Sequence, residues 1–218
     1  DRGDSVSVDL RAQDGSIETV GARYVAACDG ARSGIREALK ISLTGSTYAQ
    51  RWLIVDLVGS TDRFRHTRVY CDPARPALAL PGPHGTRRYE FMMMPGETAE
   101  ELLEESRVRG LMARHSAEDE GLEIVRKVVY QFHARIAERW RSGNVFLSGD
   151  AAHLTPPFAG QGMNSGVRDA QNLAWKLALT LRGELGEGVL DTYESERRSH
   201  AWALIQMAVT MGHVMMPT

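Results

Sequence analysis

Cysteine is scarce in this sequence. Cys28 and Cys71 are the only two among 218 residues, which excludes a disulfide framework and any cysteine-rich metal centre. The seven histidines are scattered, with no pair at the i, i+4 spacing of a helical zinc site, so no metal ligand is expected. An excess of one charge is lacking as well. The formal net charge is −2, which offers nothing to track a nucleic-acid backbone. No apolar run is long enough to span a membrane, and no signal peptide opens the chain. A reducing cytoplasm is therefore the expected compartment. An initiator Met is also missing: the chain opens with "DRGDSVSVDL", as if in mid-domain, and is expected to be a fragment of a longer protein.

What is present is an ordinary globular composition, 43% hydrophobic, enough for one large domain or two small ones. Val6, Val8 and Leu10 alternate with polar residues, Asp14-Gly15 makes a hairpin turn, and Ile17 to Val20 returns. "RYVAAC" reads as a short buried strand ending at Asp29-Gly30, after which Ser33 caps a helix over Gly34 to Lys40. From about Tyr48 to Phe132 strand-like runs alternate with Gly, Pro and Asp, interrupted by one acidic helix near Thr98 to His115. That is an α+β sheet module between two α/β segments. "NVFLSG" is the next buried strand. A helix follows over Asn164 to Leu181, with Met163, Val167, Ala170, Ala174, Leu177, Ala178 and Leu181 as its apolar face. A second helix runs from Leu190 to about Met211.

The chemistry concentrates in "GNVFLSGDAAHLTPPFAGQGMNSGVRDAQNLAWKL". Asp150 follows Gly149 at the carboxyl end of a parallel strand, where open α/β sheets bind ligands. Its carboxylate suits sugar or ribityl hydroxyls; a cap on the local turn is the other reading. Pro156-Pro157 fixes two φ angles. Gly160 and Gly162 let backbone approach a flat ligand. Met163-Asn164-Ser165 opens a helix whose free N–H groups and positive dipole end favour negative charge. Reduced flavin matches both requirements, with ribityl hydroxyls at one end and an anionic pyrimidine edge at the other.

These residues closely resemble the second FAD fingerprint of the single-component flavoprotein aromatic hydroxylases, the p-hydroxybenzoate hydroxylase-like family. The wording is nearest the 3-(3-hydroxyphenyl)propionate and polyketide hydroxylase branch. "YVAACDGARSGIREAL" resembles the family's Asp-Gly fingerprint, which serves both FAD and NAD(P)H, and "TYESERRSHA" resembles its next helix. The resemblance implies that Asp150 binds the ribityl chain and Pro156 lies beside the flavin. It implies that backbone from Gly160 through Gly162 and Met163 to Asn164 holds the pyrimidine edge. Asp29, Gly30, Ser33 and Arg36 take the Asp-Gly positions, with Arg36 offering a guanidinium fork to the pyrophosphate or, alternatively, facing solvent. The implied fold is α/β plus α+β: an incomplete Rossmann-like FAD-binding domain in residues 1–45 and 140–218, with a β-sheet substrate domain inserted at 46–139. One departure is serious. The family's Gly-x-Gly-x-x-Gly loop for the ADP half of FAD has no counterpart here, and neither has its frequent further C-terminal domain.

The implied activity is FAD- and NAD(P)H-dependent hydroxylation of a phenolic or polyketide aromatic by O2, through a flavin C4a-hydroperoxide. No side chain needs to be a nucleophile, so no catalytic residue is assigned. A halogenase or epoxidase of the same superfamily is an alternative; the isolated Trp52, Trp140, Trp175 and Trp202 argue against a halogenase's Trp-x-Trp-x-Ile-Pro. A non-catalytic fragment is another, and an uncovered strand beside Tyr24 to Cys28 would invite a second copy or a missing piece of the parent chain. Met92, Met93 and Met94 either line a substrate cavity or pack a strand. Arg51, Tyr89 and His133 are candidates to face an aromatic substrate. His153 either acts on the flavin or orients backbone. Met207, Met211 and Met215 read as helix packing, and Cys28 as a small core residue.

Overall fold

The computed structural model describes residues 5–216. The opening four residues, on which the expected mid-domain start partly rests, lie outside them. In chain order the elements are β1 (Val6–Arg11), β2 (Ile17–Ala22), β3 (Val25–Ala27), α1 (Gly34–Ala38), β4 (Leu43–Val58), β5 (Arg68–Tyr70), β6 (Ala77–Pro81), β7 (Thr86–Met92), α2 (Ala99–Leu102) and α3 (Glu105–Ala113). They continue with β8 (Glu123–Ala137), β9 (Arg141–Ser142), β10 (Val145–Leu147), β11 (His153–Leu154), α4 (Gly162–Leu181) and α5 (Gly188–Met215). The fold is a mixed α/β one. The chain divides into two compact units: residues up to Ser46 with His133–Val209, and Thr47–Phe132 with the residues from Thr210 on. The second boundary thus falls inside β8 rather than after it, and the tail of α5 belongs with the inserted unit.

In the first unit β1 and β2 pair antiparallel from Val6↔Ala22 to Arg11↔Ile17. The turn is closed by the Asp14 carboxylate, which accepts from the Ser16 amide at 2.9 Å. A separate sheet has the order β3-β10-β9, with β10 parallel to β3 and antiparallel to β9. Val145, Phe146 and Leu147 are all buried, as befits a central strand. β3 differs from the expected buried strand: it lies at the sheet edge, and Ala26 is exposed. Cys28 is likewise exposed rather than part of the core.

The larger correction concerns α4. Its expected apolar face points outward: Met163 is 79% exposed, Val167 60% and Leu181 53%. The buried residues are Ser165, Asp169, Leu173, Lys176 and Thr180. The cause is what the inner face meets. Lys176 Nζ pairs with Glu196 Oε2 at 2.8 Å and also donates to Thr192 Oγ1, both on α5. Asp169 meets a backbone amide and two further side chains. A polar stripe with a partner at each charge is buried at tolerable cost. On α5, the tail methionines are divided: Met215 is buried, whereas Met207 and Met211 are exposed.

The second unit is built conventionally. Its strands run in the order β8-β4-β7-β6-β5, with antiparallel registers such as Val55↔Tyr89 and Ala79↔Tyr89. Alternate residues Leu53, Val55 and Leu57 join Ala77, Ala79, Tyr89 and Phe91 on one face. Against it pack Leu102, Val108, Leu111 and Met112 of the two short helices. The expected single acidic helix is broken at Glu104, whose backbone is extended. One continuous helix would set Glu100 against Glu104 and Glu101 against Glu105, like-charge pairs one turn apart. Thr98 and Glu101 form a reciprocal capping box on the first half.

Candidate functional site

The Gly-Asp segment begins where β10 ends. Ser148 N–H donates to the Ala27 carbonyl at 3.0 Å, which ties the end of β10 to β3. Gly149–Ala151 then forms one tight turn, closed by the Ala152 amide on the Gly149 carbonyl at 2.8 Å. Gly149 has φ +59, and its Cα faces Gly166 of α4, where a Cβ would stand 3.4 Å from it. These are ordinary van der Waals separations, so it is the positive φ of Gly149 rather than the spacing that calls for glycine here.

Asp150 sits at the apex of this turn. Its side chain is exposed, and no hydrogen bond or ion pair among the described residues engages its carboxylate. The turn-capping reading therefore has no support in the geometry. Both neighbours of Asp150 are held. The Gly149 amide donates to Asp169 Oδ2 at 3.2 Å. The Ala151 carbonyl accepts from Arg36 Nη1 at 3.1 Å.

Arg36 links the two sequence motifs. Its helix, α1, starts at Ser33, whose hydroxyl accepts from the Arg36 amide at 2.9 Å and donates to Asp29 Oδ1 at 2.5 Å. Asp29 Oδ2 accepts from the Ile35 amide at 3.1 Å. Burial works to raise the Asp29 pKa, but these bonds from Ser33 and Ile35 outweigh it and hold the carboxyl below its usual value. Gly30, with φ +82, completes the turn. Arg36 is 5% exposed, and its guanidinium donates from Nη1 to the Ala151 carbonyl and from Nη2 to the Ala31 carbonyl. It does not face solvent.

Downstream, Pro156 is buried and Pro157 exposed. The turn Pro157–Ala159 ends at Gly160 in the left-handed region, with its amide on the Pro157 carbonyl at 2.8 Å. A Cβ on Gly160 or Gly162 would meet nothing within 4 Å, so both open onto free space. α4 starts without a side-chain cap. The Gly162, Met163 and Asn164 amides precede the first intrahelical bond, that of Ser165 to Gln161, and so keep their donor capacity. The first unit thus offers a free carboxylate on a pinned turn, a Gly-x-Gly opening and an uncapped helix start.

A family model described as FAD binding domain matches residues 1–208. The chain belongs to this FAD-binding-domain family. It is 47% identical over 215 residues to 3-(3-hydroxy-phenyl)propionate/3-hydroxycinnamic acid hydroxylase of Klebsiella pneumoniae, covering 99% of this chain and 39% of that relative. The Escherichia coli protein of the same name is 44% identical over 214 residues, with 98% and 39% covered. The crystal structure of aklavinone-11 hydroxylase with FAD and aklavinone superposes with a TM-score of 0.87 at 31% identity, over 96% of this chain and 40% of that one. The chain spans about 39% of the length of the curated relatives named here.

Other residues of this FAD-binding-domain chain fall into clear roles. His153 is 1% exposed, stacks on Trp140 at 5.2 Å, and places Nε2 2.6 Å from Asp169 Oδ2. Tyr89, a candidate to face substrate, is instead buried in the second unit, where its hydroxyl donates to Asp119 Oδ2 at 2.7 Å. Burial first, and the hydrogen bond to Asp119 next, push its pKa up. Arg51, Met92, Met93 and Met94 line an open cleft of about 430 Å³ in that unit. His133 is half-buried, and burial, then Arg135, lowers its pKa. Asp169 and Arg197 were missed by the sequence reading. The available signal was the stripe Ser165, Asp169, Leu173, Lys176, Thr180, which recurs at helical spacing as regularly as the apolar one.

Proposed function

We propose that this chain supplies the flavin-side turn and the substrate sheet of an FAD-dependent monooxygenase that hydroxylates a phenolic compound with NAD(P)H and O2. The observation that carries the reading is the unengaged Asp150 carboxylate on a turn fixed at both neighbours. Exposed carboxylates are common on protein surfaces; this one is set apart by a turn fixed on both sides, from which a polyhydroxylated ligand would gain charge-assisted hydrogen bonds.

In this reading Asp150 accepts from ribityl hydroxyls. Gly160 and Gly162 admit the edge of the flavin ring, and the Gly162, Met163 and Asn164 amides donate to its pyrimidine side. Pro156 fixes the bend that leads to them. Asp29, Gly30 and Ser33 shape the Asp-Gly turn, because both Asp29 oxygens are already committed within it. Two of the five Arg36 N–H donors go to the Ala151 and Ala31 carbonyls, so its bonds favour the role of a brace. When bound, FAD would supply the redox chemistry and the activation of O2; the chain's own groups bind and orient it. The relatives' names point to a hydroxyphenyl acid as the class of substrate. The two free, exposed cysteines suit a cytoplasmic setting. Among the described residues no helix is long and apolar enough to cross a membrane.

The test is to purify the full-length protein, record its visible spectrum, and follow NAD(P)H oxidation with product analysis on 3-(3-hydroxyphenyl)propionate. Flavin absorption with substrate-stimulated oxidation and a ring-hydroxylated product is the expected result. A colourless protein that takes up no added FAD overturns the reading.

A further inference from the structure

Asp169 is fully buried on α4, one of the least expected places for a carboxylate. Three donors surround it. Arg197 Nε donates to Oδ1 at 2.9 Å; His153 Nε2 lies 2.6 Å from Oδ2; the Gly149 amide donates to Oδ2 at 3.2 Å. A carboxylate is acceptor-only, so the His153 nitrogen facing it carries the hydrogen. The third of these bonds is the unusual one, for it leads out of the core to the residue preceding Asp150.

We propose that Asp169 is a positioning residue for the cofactor site: held by Arg197 and His153, it fixes the Gly149 amide and thereby the direction in which Asp150 presents its carboxylate. The inference rests on the reading of Asp150 as a ribityl ligand. Glycine has the largest conformational freedom of any residue, and Gly149 stands at φ +59. A turn built on it would sample many directions unless tied down, and that freedom would be lost on binding at the expense of affinity. Asp169 ties one side of Asp150, and Arg36 ties the other through the Ala151 carbonyl. Gly149 lies beside Gly166, three residues before Asp169 on the same helix, so the buried carboxylate is within its reach.

A purely structural Asp169 would hold α4, α5 and the β10 turn together without regard to Asp150. The two roles separate in a double-mutant cycle. Apoprotein of the full-length flavoprotein is titrated with FAD, using quenching of flavin fluorescence, for wild type, Asp150→Asn, Asp169→Asn and the double variant. Asp150→Asn is expected to weaken FAD about tenfold, the loss of one charge-assisted hydrogen bond. Asp169→Asn is expected to weaken it about tenfold in the wild-type background and less than about threefold beside Asp150→Asn, because a misdirected group no longer matters once it is removed. Equal losses in both backgrounds, or no loss from Asp169→Asn, overturn the proposal and leave the site intact. No loss from Asp150→Asn overturns the reading of the site itself. If Asp169→Asn does not fold, Arg197→Lys, which keeps the charge but moves the donor from Oδ1, enters the same cycle under the same criteria.

Discussion

Asp150 and Asp169 belong to one segment and meet opposite surroundings. Asp150 stands at a turn apex, exposed, with no partner among the described residues. Asp169 is sealed inside with three donors on its two oxygens. Water satisfies the first at no cost and gives it up readily to a ligand. The second has exchanged water for protein donors and is worth keeping only while all of them stay. Under the proposed function the difference separates a group free to bind from a group that holds the frame, and it predicts different failures when each is removed.

The largest effect is expected at Asp169. Asp169→Ala leaves the Arg197 guanidinium buried without its charge partner, which costs about 3–5 kcal/mol. Urea unfolding would show the midpoint fall steeply. A loss under about 1 kcal/mol would mean that the first unit relaxes around the gap and that the carboxylate holds little. Asp150→Ala reverses the pattern. FAD affinity is expected to fall by about 1.5–3 kcal/mol, roughly ten- to a hundredfold, while the unfolding midpoint of the apoprotein moves by no more than about 0.5 kcal/mol. Equal damage to stability would erase the contrast.

Glu97 in the second unit provides an intermediate case. Its carboxylate accepts from Arg75 Nη1 at 2.9 Å, from the Met94 amide at 2.8 Å and from Arg107 at 2.6 Å. Burial alone would raise its pKa, but Arg75, the Met94 amide and Arg107 hold it down at about 2. A depressed carboxyl contributes stability above its unfolded value of 4.5 and loses it as pH falls from there through about 2. Solvent reaches the pair, so about 1–2 kcal/mol is expected in place of the unscreened figure. Unfolding followed from pH 6 to pH 2.5 should show this loss in wild type and not in Glu97→Gln. Parallel profiles for the two would remove Glu97 from the acid response.

The parts of the site that follow from a local rule were legible in the sequence. Ser33 caps α1 because a hydroxyl before a helix accepts an early amide. Gly149, Gly160 and the uncapped start of α4 follow from turn chemistry and helix termini. What escaped depends on neighbours distant in sequence. Arg36 reads as a phosphate fork from its motif alone, which gives no sign that Ala151, far along the chain, accepts from its Nη1. The inner face of α4 could not be chosen by hydrophobicity, because hydrophobicity assumes an apolar neighbour. Its neighbours are an amide, an imidazole, a guanidinium and a threonine hydroxyl, supplied by the Gly-Asp turn, His153 and α5.

That inversion yields the smallest expected effect and a sharp one. If the outward stripe of α4 contributes nothing to this chain, Val167→Lys should change its unfolding free energy by less than about 0.5 kcal/mol, the range of surface substitutions. Lysine is a better helix former than valine, which offsets part of any lost contact. Leu173→Ala, on the inner stripe, should cost about 2–5 kcal/mol by emptying a packed site. The pair is best measured side by side by urea unfolding of the 218-residue chain. A Val167→Lys loss as large as that of Leu173→Ala would mean that the apolar stripe is covered in solution. The exposed Met163, Val167 and Leu181 would then mark a contact surface, and the contrast between the two carboxylates would have to be redrawn for a helix buried on both faces.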